Sequence, residues 1–403
     1  MNKLLQINSV VNFGSTGRIA EEIGVLAMSQ GWHSYIAYGR KNGVSQSEVI
    51  KIGSQMDLHA HGLATRLFDR HGFASSMPTR NLISKIEKIK PDIIHLHNLH
   101  GYYININLLC NYLADRNFPL VWTLHDCWAI TGHCANFESI NCNKWIDGCH
   151  HCPQRKSYPA SYFADQSRRN YNEKKLLFTS FKEMAIVSVS KWLGNIIQRS
   201  YLAKYPIEII NSGINMDTFK PVKCNRLLHK YNLKNKFIIL GVVNDWNRNK
   251  GFFDFIELGR RLSSDYQIVM LGLNNFQISH IPSNIVGIPR TNNPHELAEF
   301  YSFADVFLNA TYEESFSTTN LEAVACGTPV ITYDAGGSTE SILPTTGIIV
   351  QKGDIEGLKN AVSTVRTKGK SYYSNYCYHH ARLNYNMNDR YGYYLKLYSK
   401  ILH

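Results

Sequence analysis

The 403-residue sequence contains no apolar run long enough to span a bilayer, which argues against a helical membrane-spanning chain. The opening MNKLLQINSVVNFG carries one Lys, a short apolar run and no small-residue cleavage site. It reads as a first strand rather than a signal peptide, so the chain is expected in the cytosol. Lys and Arg outnumber Asp and Glu to give a formal charge of +12, yet no block of basic residues stands out. RNP, zinc-finger and helix-turn-helix spacings are missing too, and no nucleic-acid partner is expected. The basic balance instead suits a phosphorylated small molecule or an acidic membrane face, with a plain solubility charge as the competing reading. No short-period repeat is visible, which argues against a solenoid.

What is present is a rhythm. Short apolar runs alternate with amphipathic helical stretches: KLLQIN, then GRIAEEIGVLAMSQG, then HSYIAYG, with PDIIHLH, PLVWTLH and EMAIVSVS further on. The rhythm restarts at KFIILGVVND and continues through YQIVMLG, DVFLNAT and PVITYDAGG. Alternation of this kind predicts α/β architecture with two doubly wound parallel sheets. The expected bounds are residues 1–206 and 207–385, with a C-terminal helix over 386–403 that returns to the first domain. The segment IEIINSGINMDTFKP suits a linker. Ligands of such folds bind at the C-terminal ends of the strands, in a cleft if two sheets face each other.

Four constellations carry chemistry. In EESFSTTNLEAVACGTPVITYDAGGSTE, Ser317 is the expected N-cap of a helix with Thr318 and Thr319 in its first turn; Gly327 and Pro329 stop it. Glu314 precedes that helix and Glu322 lies inside it. A free helix start between two carboxylates suits a diphosphate flanked by sugar hydroxyls; two solvated acids on an ordinary helix is the plainer alternative. In NSVVNFGSTGRIAEEI, Gly14 and Gly17 sit between a strand and a helix, a weak phosphate-loop signal that does not match G-x-G-x-x-G. His95, His97, His100 and His125 gather at two strand ends, where alternation places His95 and His97 on one face. A three-His metal site and structural hydrogen-bonded histidines are both open readings. Finally, Cys134, Cys142, Cys149 and Cys152 stand at C-x7-C-x6-C-x2-C, which reads as a tetrahedral zinc knuckle; unligated thiols packed in a loop compete, and Cys127, His150 and His151 blur the set.

The segment ESFSTTNLEAVACGTPVI resembles the E-x7-E motif of the family-4 retaining glycosyltransferases, and GGSTE resembles the loop that follows it in that family. The likeness in strand and helix order extends over nearly the whole chain. It implies the GT-B fold, a nucleoside-diphosphate-sugar donor and no catalytic cofactor, with Glu314 near the transferred sugar and Glu322 on the nucleotide ribose. The family pattern G-R-x4-K-G is matched by Lys250 and Gly251, but Asp245 stands where its Arg is expected; Arg248 is the substitute this suggests. Arg290 and Thr291 fall where the family recognises the base, and His97 matches its sugar-contacting His. The Cys-rich insert is similar to that of a subgroup of bacterial capsule, exopolysaccharide and O-antigen transferases.

The expected reaction is therefore sugar transfer with retention to an acceptor hydroxyl, in surface polysaccharide synthesis. The acceptor would be a sugar or a lipid-linked oligosaccharide. A nucleotide-sugar epimerase or hydrolase on the same scaffold is one alternative, and a non-catalytic basic binding module is another. The stretch from Ala64 to Lys90, with Arg66, Arg70, Lys85 and Lys88 among apolar residues, is the candidate contact with an anionic inner-membrane face.

Overall fold

The structure, a computed structural model, describes residues 1–223, 226–233, 235–291 and 293–402. The chain divides into two compact units. The first is Met1–Ser212 together with the segment from Asn388 onward, and the second is Gly213–Met387.

The sheet of the first unit has seven strands: β1 (Lys3–Asn8), β2 (His33–Tyr38), β3 (Glu48–Lys51), β4 (Ile93–Leu96), β5 (Leu120–Leu124), β6 (Met184–Ser188) and β7 (Ile207–Ile209). They lie in the order β3-β2-β1-β4-β5-β6-β7, every pairing parallel. β4, β5 and β6 bury every residue, as expected of strands covered on both faces. The second sheet has six: β8 (Phe237–Val242), β9 (Tyr266–Leu271), β10 (Ile285–Ile288), β11 (Val306–Asn309), β12 (Val330–Tyr333) and β13 (Gly347–Val350). Their order, β10-β9-β8-β11-β12-β13, is again wholly parallel and reproduces the first six positions of the other sheet. In each, the strand order reverses beside the first strand, between β1 and β4 and between β8 and β11. That reversal opens a crevice at the strand ends.

Every interior strand was legible in the sequence. The strands it did not reveal, β3, β7, β10 and β13, are the sheet edges. Each has only three or four residues, too short for a periodic signal. β7 corrects one expectation directly: Ile207–Ile209 begins the stretch read as a linker, yet it pairs with β6. The chain crosses between units a few residues later. There Ile214 pairs with Asn386, and a Cβ on Gly213 would lie 2.4 Å from the Cα of Met387.

The C-terminal helix Met387–Leu402 anchors in the first unit through aromatic side chains. Tyr391, Tyr394 and Tyr398 are all at most 1% exposed. The stretch proposed as a membrane contact forms parts of two helices, Gln55–Phe68 and Ser76–Ile89. The second buries Pro78, Thr79, Leu82 and Ile86 against the unit. Arg66, Lys85 and Lys88 are exposed. Arg70 is not available as expected: it meets Glu173 at 2.8 Å and Asn170 at 3.0 Å, and it stacks on Phe73. Among the described residues, no helix is long and apolar enough to cross a membrane.

Candidate active site

In the second unit, the crevice between β8 and β11 is shaped by two loops. The loop after β8 is pinned by Trp246, 3% exposed, whose indole N–H donates to Leu271 O at 2.7 Å. It then turns through Arg248–Lys250 to Gly251, which has φ +75°; a Cβ there would sit 2.3 Å from Ala310 O. Only glycine permits that approach. The approach brings the Lys250 ammonium to the loop after β11, where Nζ lies 3.1 Å from Glu314 Oε2 and 3.4 Å from Thr311 Oγ1. Both partners of this ion pair keep solvent contact, at 34% and 25% side-chain exposure. Next to it, Asn249 Nδ2 donates to Glu313 Oε2 at 3.2 Å.

The helix after this loop is Thr318–Ala325, and Ser317 caps it as expected. The cap occupies the hydroxyl: Ser317 Oγ accepts from the Asn320 N–H at 3.2 Å and from Asn309 Nδ2 at 3.0 Å. Thr318 and Thr319 in the first turn are half-buried. Asn320 Nδ2 ties the helix to Ser338 O at 3.0 Å. The N–H of Gly337 donates to Glu314 O at 2.8 Å, so the GGSTE segment braces the acidic loop.

Glu322 is 1% exposed, and Tyr301 Oη donates to its Oε2 at 2.9 Å. Arg248 is exposed, and its charge acts on Asp254 and Tyr312, which are joined at 3.2 Å. Arg290 is exposed two residues beyond β10, with Thr291 partly covered beside it.

In the first unit, the β1–β4 crevice holds the histidines. His97 is 1% exposed, and both its ring nitrogens are engaged. Gln6 fixes the pattern. Its amide donates to Ala20 O at 2.7 Å, which turns Oε1 toward His97 Nε2 at 3.0 Å. Nε2 is therefore the protonated nitrogen of His97, because burial and the neighbouring His95 and His125 hold the ring neutral. His97 Nδ1 must then accept from His125 Nε2, 3.1 Å away. Burial lowers His125 to about 4 although Asp126 opposes the shift, so at neutral pH its Nδ1 carries a lone pair. Of the two rings, His125 is the half-buried one, while His97 lies inside with both nitrogens engaged.

His95 is structural: Tyr398 Oη lies 2.6 Å from Nδ1 and Thr123 Oγ1 2.7 Å from Nε2. His100 pairs with Asp126 at 2.7 Å. Gly14 has φ +64° with open space where a Cβ would stand, at the start of helix Gly14–Ser29. Gly17 is buried, and a Cβ there would lie 3.1 Å from both Asn12 N and Val10 Cγ2.

Cys134, Cys142, Cys149 and Cys152 line one small pocket with His133 and Trp145. Among the described residues, no group of three or more His, Cys, Asp or Glu side chains stands in metal-holding geometry. That also leaves the three-His alternative at the strand ends without a site.

Comparison with known proteins decides the family. The family model described as Glycosyltransferase Family 4 matches residues 17–218, and that described as Glycosyl transferases group 1 matches residues 225–376. The chain belongs to glycosyltransferase family 4. Among the curated relatives of this family-4 protein is a colanic acid biosynthesis glycosyl transferase named WcaC from Escherichia coli strain K12. It is 29% identical over 53% of this chain and 55% of its own length. The capsular polysaccharide biosynthesis glycosyltransferase CapM of Staphylococcus aureus is 26% identical over 44% of this chain and 50% of its own. The chain therefore matches these relatives over about half their length. Solved structures share the GT-B fold across both units. The sucrose-phosphate synthase of Thermosynechococcus elongatus has a TM-score of 0.73 at 15% identity, covering 100% of this chain and 99% of its own. Anabaena HepE, solved with UDP, has 0.70 at 14%, covering 99% and 100%.

Two features of this family-4 site were missed in the sequence: Tyr301 on Glu322, and Gln6 as the residue that sets the histidine tautomers. Tyr301 lies in helix Pro294–Phe303, twenty-one positions before Glu322, and Gln6 is a buried polar residue of β1. The polar residue in a buried strand was the available signal for Gln6, since such a group needs a partner.

Proposed function

We propose that this protein transfers a hexosyl unit from a nucleoside-diphosphate-sugar to an acceptor hydroxyl, with retention, in the synthesis of a bacterial surface polysaccharide such as a capsule or O-antigen. The observation that carries the reading is the Lys250–Glu314 pair, 3.1 Å apart beside the start of helix Thr318–Ala325. A cation and a helix start stabilise negative charge that grows on a leaving diphosphate, and a carboxylate next to them can orient a sugar hydroxyl. With the donor bound, Lys250 would turn from Glu314 to the diphosphate and free that carboxylate for the sugar. His125 Nδ1 supplies a second acceptor for a sugar hydroxyl. The acceptor-site oxygen attacks the anomeric carbon on the leaving-group face, the carbon–oxygen bond to the diphosphate breaks, and the attacking hydroxyl proton passes to a diphosphate oxygen. Family membership and relatives named for colanic acid and capsular polysaccharide biosynthesis support the substrate class. Exposed Arg66, Lys85 and Lys88 support a lipid-linked acceptor met at the anionic inner face of the membrane.

The test is a thermal-shift screen over UDP-, GDP-, TDP- and ADP-sugars, followed by a radiolabelled transfer assay with lipid-linked acceptors. UDP-sugars come first because Anabaena HepE binds UDP. Stabilisation by one donor class and acceptor-dependent transfer are expected. Donor turnover that needs no acceptor would instead give an epimerase or hydrolase, and no nucleotide binding would leave a non-catalytic module.

A further inference from the structure

We propose that the insert of the first unit is a structural zinc site in which Cys134, Cys142, Cys149 and Cys152 hold one tetrahedral ion. The four thiols line one pocket although eighteen positions of sequence separate the first from the last. Cys134 and Cys152 already meet in a side-chain hydrogen bond, and Cys149 and Cys142 are their neighbours.

Two backbone N–H groups face sulfur atoms of the set. The backbone N–H of Gly132 points at the Cys149 sulfur, and that of Gln154 at the Cys152 sulfur. Such donors are what metal-bound sulfur requires of its surroundings. Gly132 is needed for this approach: a Cβ there would fall 2.0 Å from Ser167 O and 2.9 Å from Cys149 Cβ. His133 lines the same pocket at 2% exposure. Its Nδ1 is held by Asp69 at 2.5 Å, while its Nε2 is buried without a hydrogen-bond partner. A buried orphan of this kind is costly unless something in the pocket answers it. Zinc with four thiolates carries a charge of −2, and the site has a cation ready to balance it. Lys174, 1% exposed, puts its ammonium against Trp128 O at 2.9 Å and Thr131 O at 3.1 Å.

The insert also has little else to order it. Across residues 127–153 its regular structure is three short turns, Trp128–Ile130, Glu138–Ile140 and Lys144–Asp147, with a Phe137–Trp145 stack. Zinc entry would displace the thiol protons to solvent and draw this loop together by a small movement, since no three ligands stand in metal geometry beforehand.

The full chain, expressed with zinc supplied and purified without chelator, should contain about one zinc per chain by elemental analysis. Cys134→Ser and the pair Cys149→Ser/Cys152→Ser should each lower it at least about tenfold, as expected when a structural site loses a ligand. Cobalt exchanged into the wild-type chain should show intense thiolate-to-metal charge transfer with tetrahedral visible bands, a readout that does not depend on the variants folding. A wild-type chain with under about a tenth of an equivalent of zinc and no cobalt–thiolate band would overturn the site. Full zinc retained in Cys134→Ser would overturn the four-thiolate set.

Discussion

Replacing Lys250 by Met separates the two things an ion pair can do. The Lys250–Glu314 pair is 3.1 Å long, but its side chains are 34% and 25% exposed. Pairs that keep this much water contribute roughly 0.2–1 kcal/mol to stability. Met retains most of the aliphatic stem, so packing against the Gly251 turn survives. Unfolding followed in urea should therefore shift by less than about 1 kcal/mol. Catalysis should respond very differently. If the ammonium stabilises charge that develops only as the donor bond breaks, its loss should cost about 2.7–4 kcal/mol, or 100- to 1000-fold in kcat. KM for the donor should rise much less, because the ground-state diphosphate is also held by the helix start. Steady-state transfer kinetics at saturating acceptor, alongside the urea curves, give both quantities from one preparation. Equal small losses in stability and kcat would refute the argument and make the pair an ordinary surface bridge. Arg248→Ala is the internal comparison. Its charge acts on Asp254 and Tyr312, so kcat should fall far less than in Lys250→Met.

Three further outcomes follow from named contacts. Tyr301→Phe removes the hydroxyl on the buried Glu322 carboxylate and should destabilise the second unit by about 1–3 kcal/mol; an unchanged denaturation midpoint would mean that Glu322 does not need this donor. His125→Phe should abolish transfer while the fold persists by circular dichroism, whereas wild-type kcat in that variant would remove His125 from the site. Acid should weaken the first unit. His61 is 1% exposed and is lowered to about 4 by burial. A depressed histidine stabilises the fold fully above its ordinary value of 6.5, and that contribution disappears as pH falls through 4. From these values the loss from His61 alone is about 2 kcal/mol at pH 5. Denaturant curves at pH 7.5 and 5 test it, and equal stabilities would contradict the neutral ring.

How much of this was legible follows from what each residue does. Interior strands announced themselves because burial on both faces forces an unbroken apolar run, as in Ile93–Leu96 and Leu120–Leu124. Edge strands are relieved of that constraint, so Glu48–Lys51 and Ile207–Ile209 looked like loop. The acidic loop and its helix were legible because their chemistry is local. Ser317, Asn320 and Gly327 act within a few positions of each other, and their spacing is their geometry.

The histidines show the limit most clearly. Spacing places His95 and His97 on one face of β4, and either could reach a ligand on that ground. The hydrogen bonds that decide between them come from residues remote in sequence. Tyr398, 303 positions away, occupies His95, and Gln6, 91 positions away, occupies His97. Once Gln6 is locked by Ala20, every proton in the chain from Gln6 through His97 to His125 is assigned, and the remaining lone pair falls on the next strand. A strand-end histidine is therefore a poor guide to which ring meets substrate. The buried amide behind the two rings sets their tautomers. Gln6 accordingly orients the His97 ring, and the buried Asn8 on the same strand is likewise engaged, donating to Val10 O and Thr16 O and accepting from the Ser9 N–H.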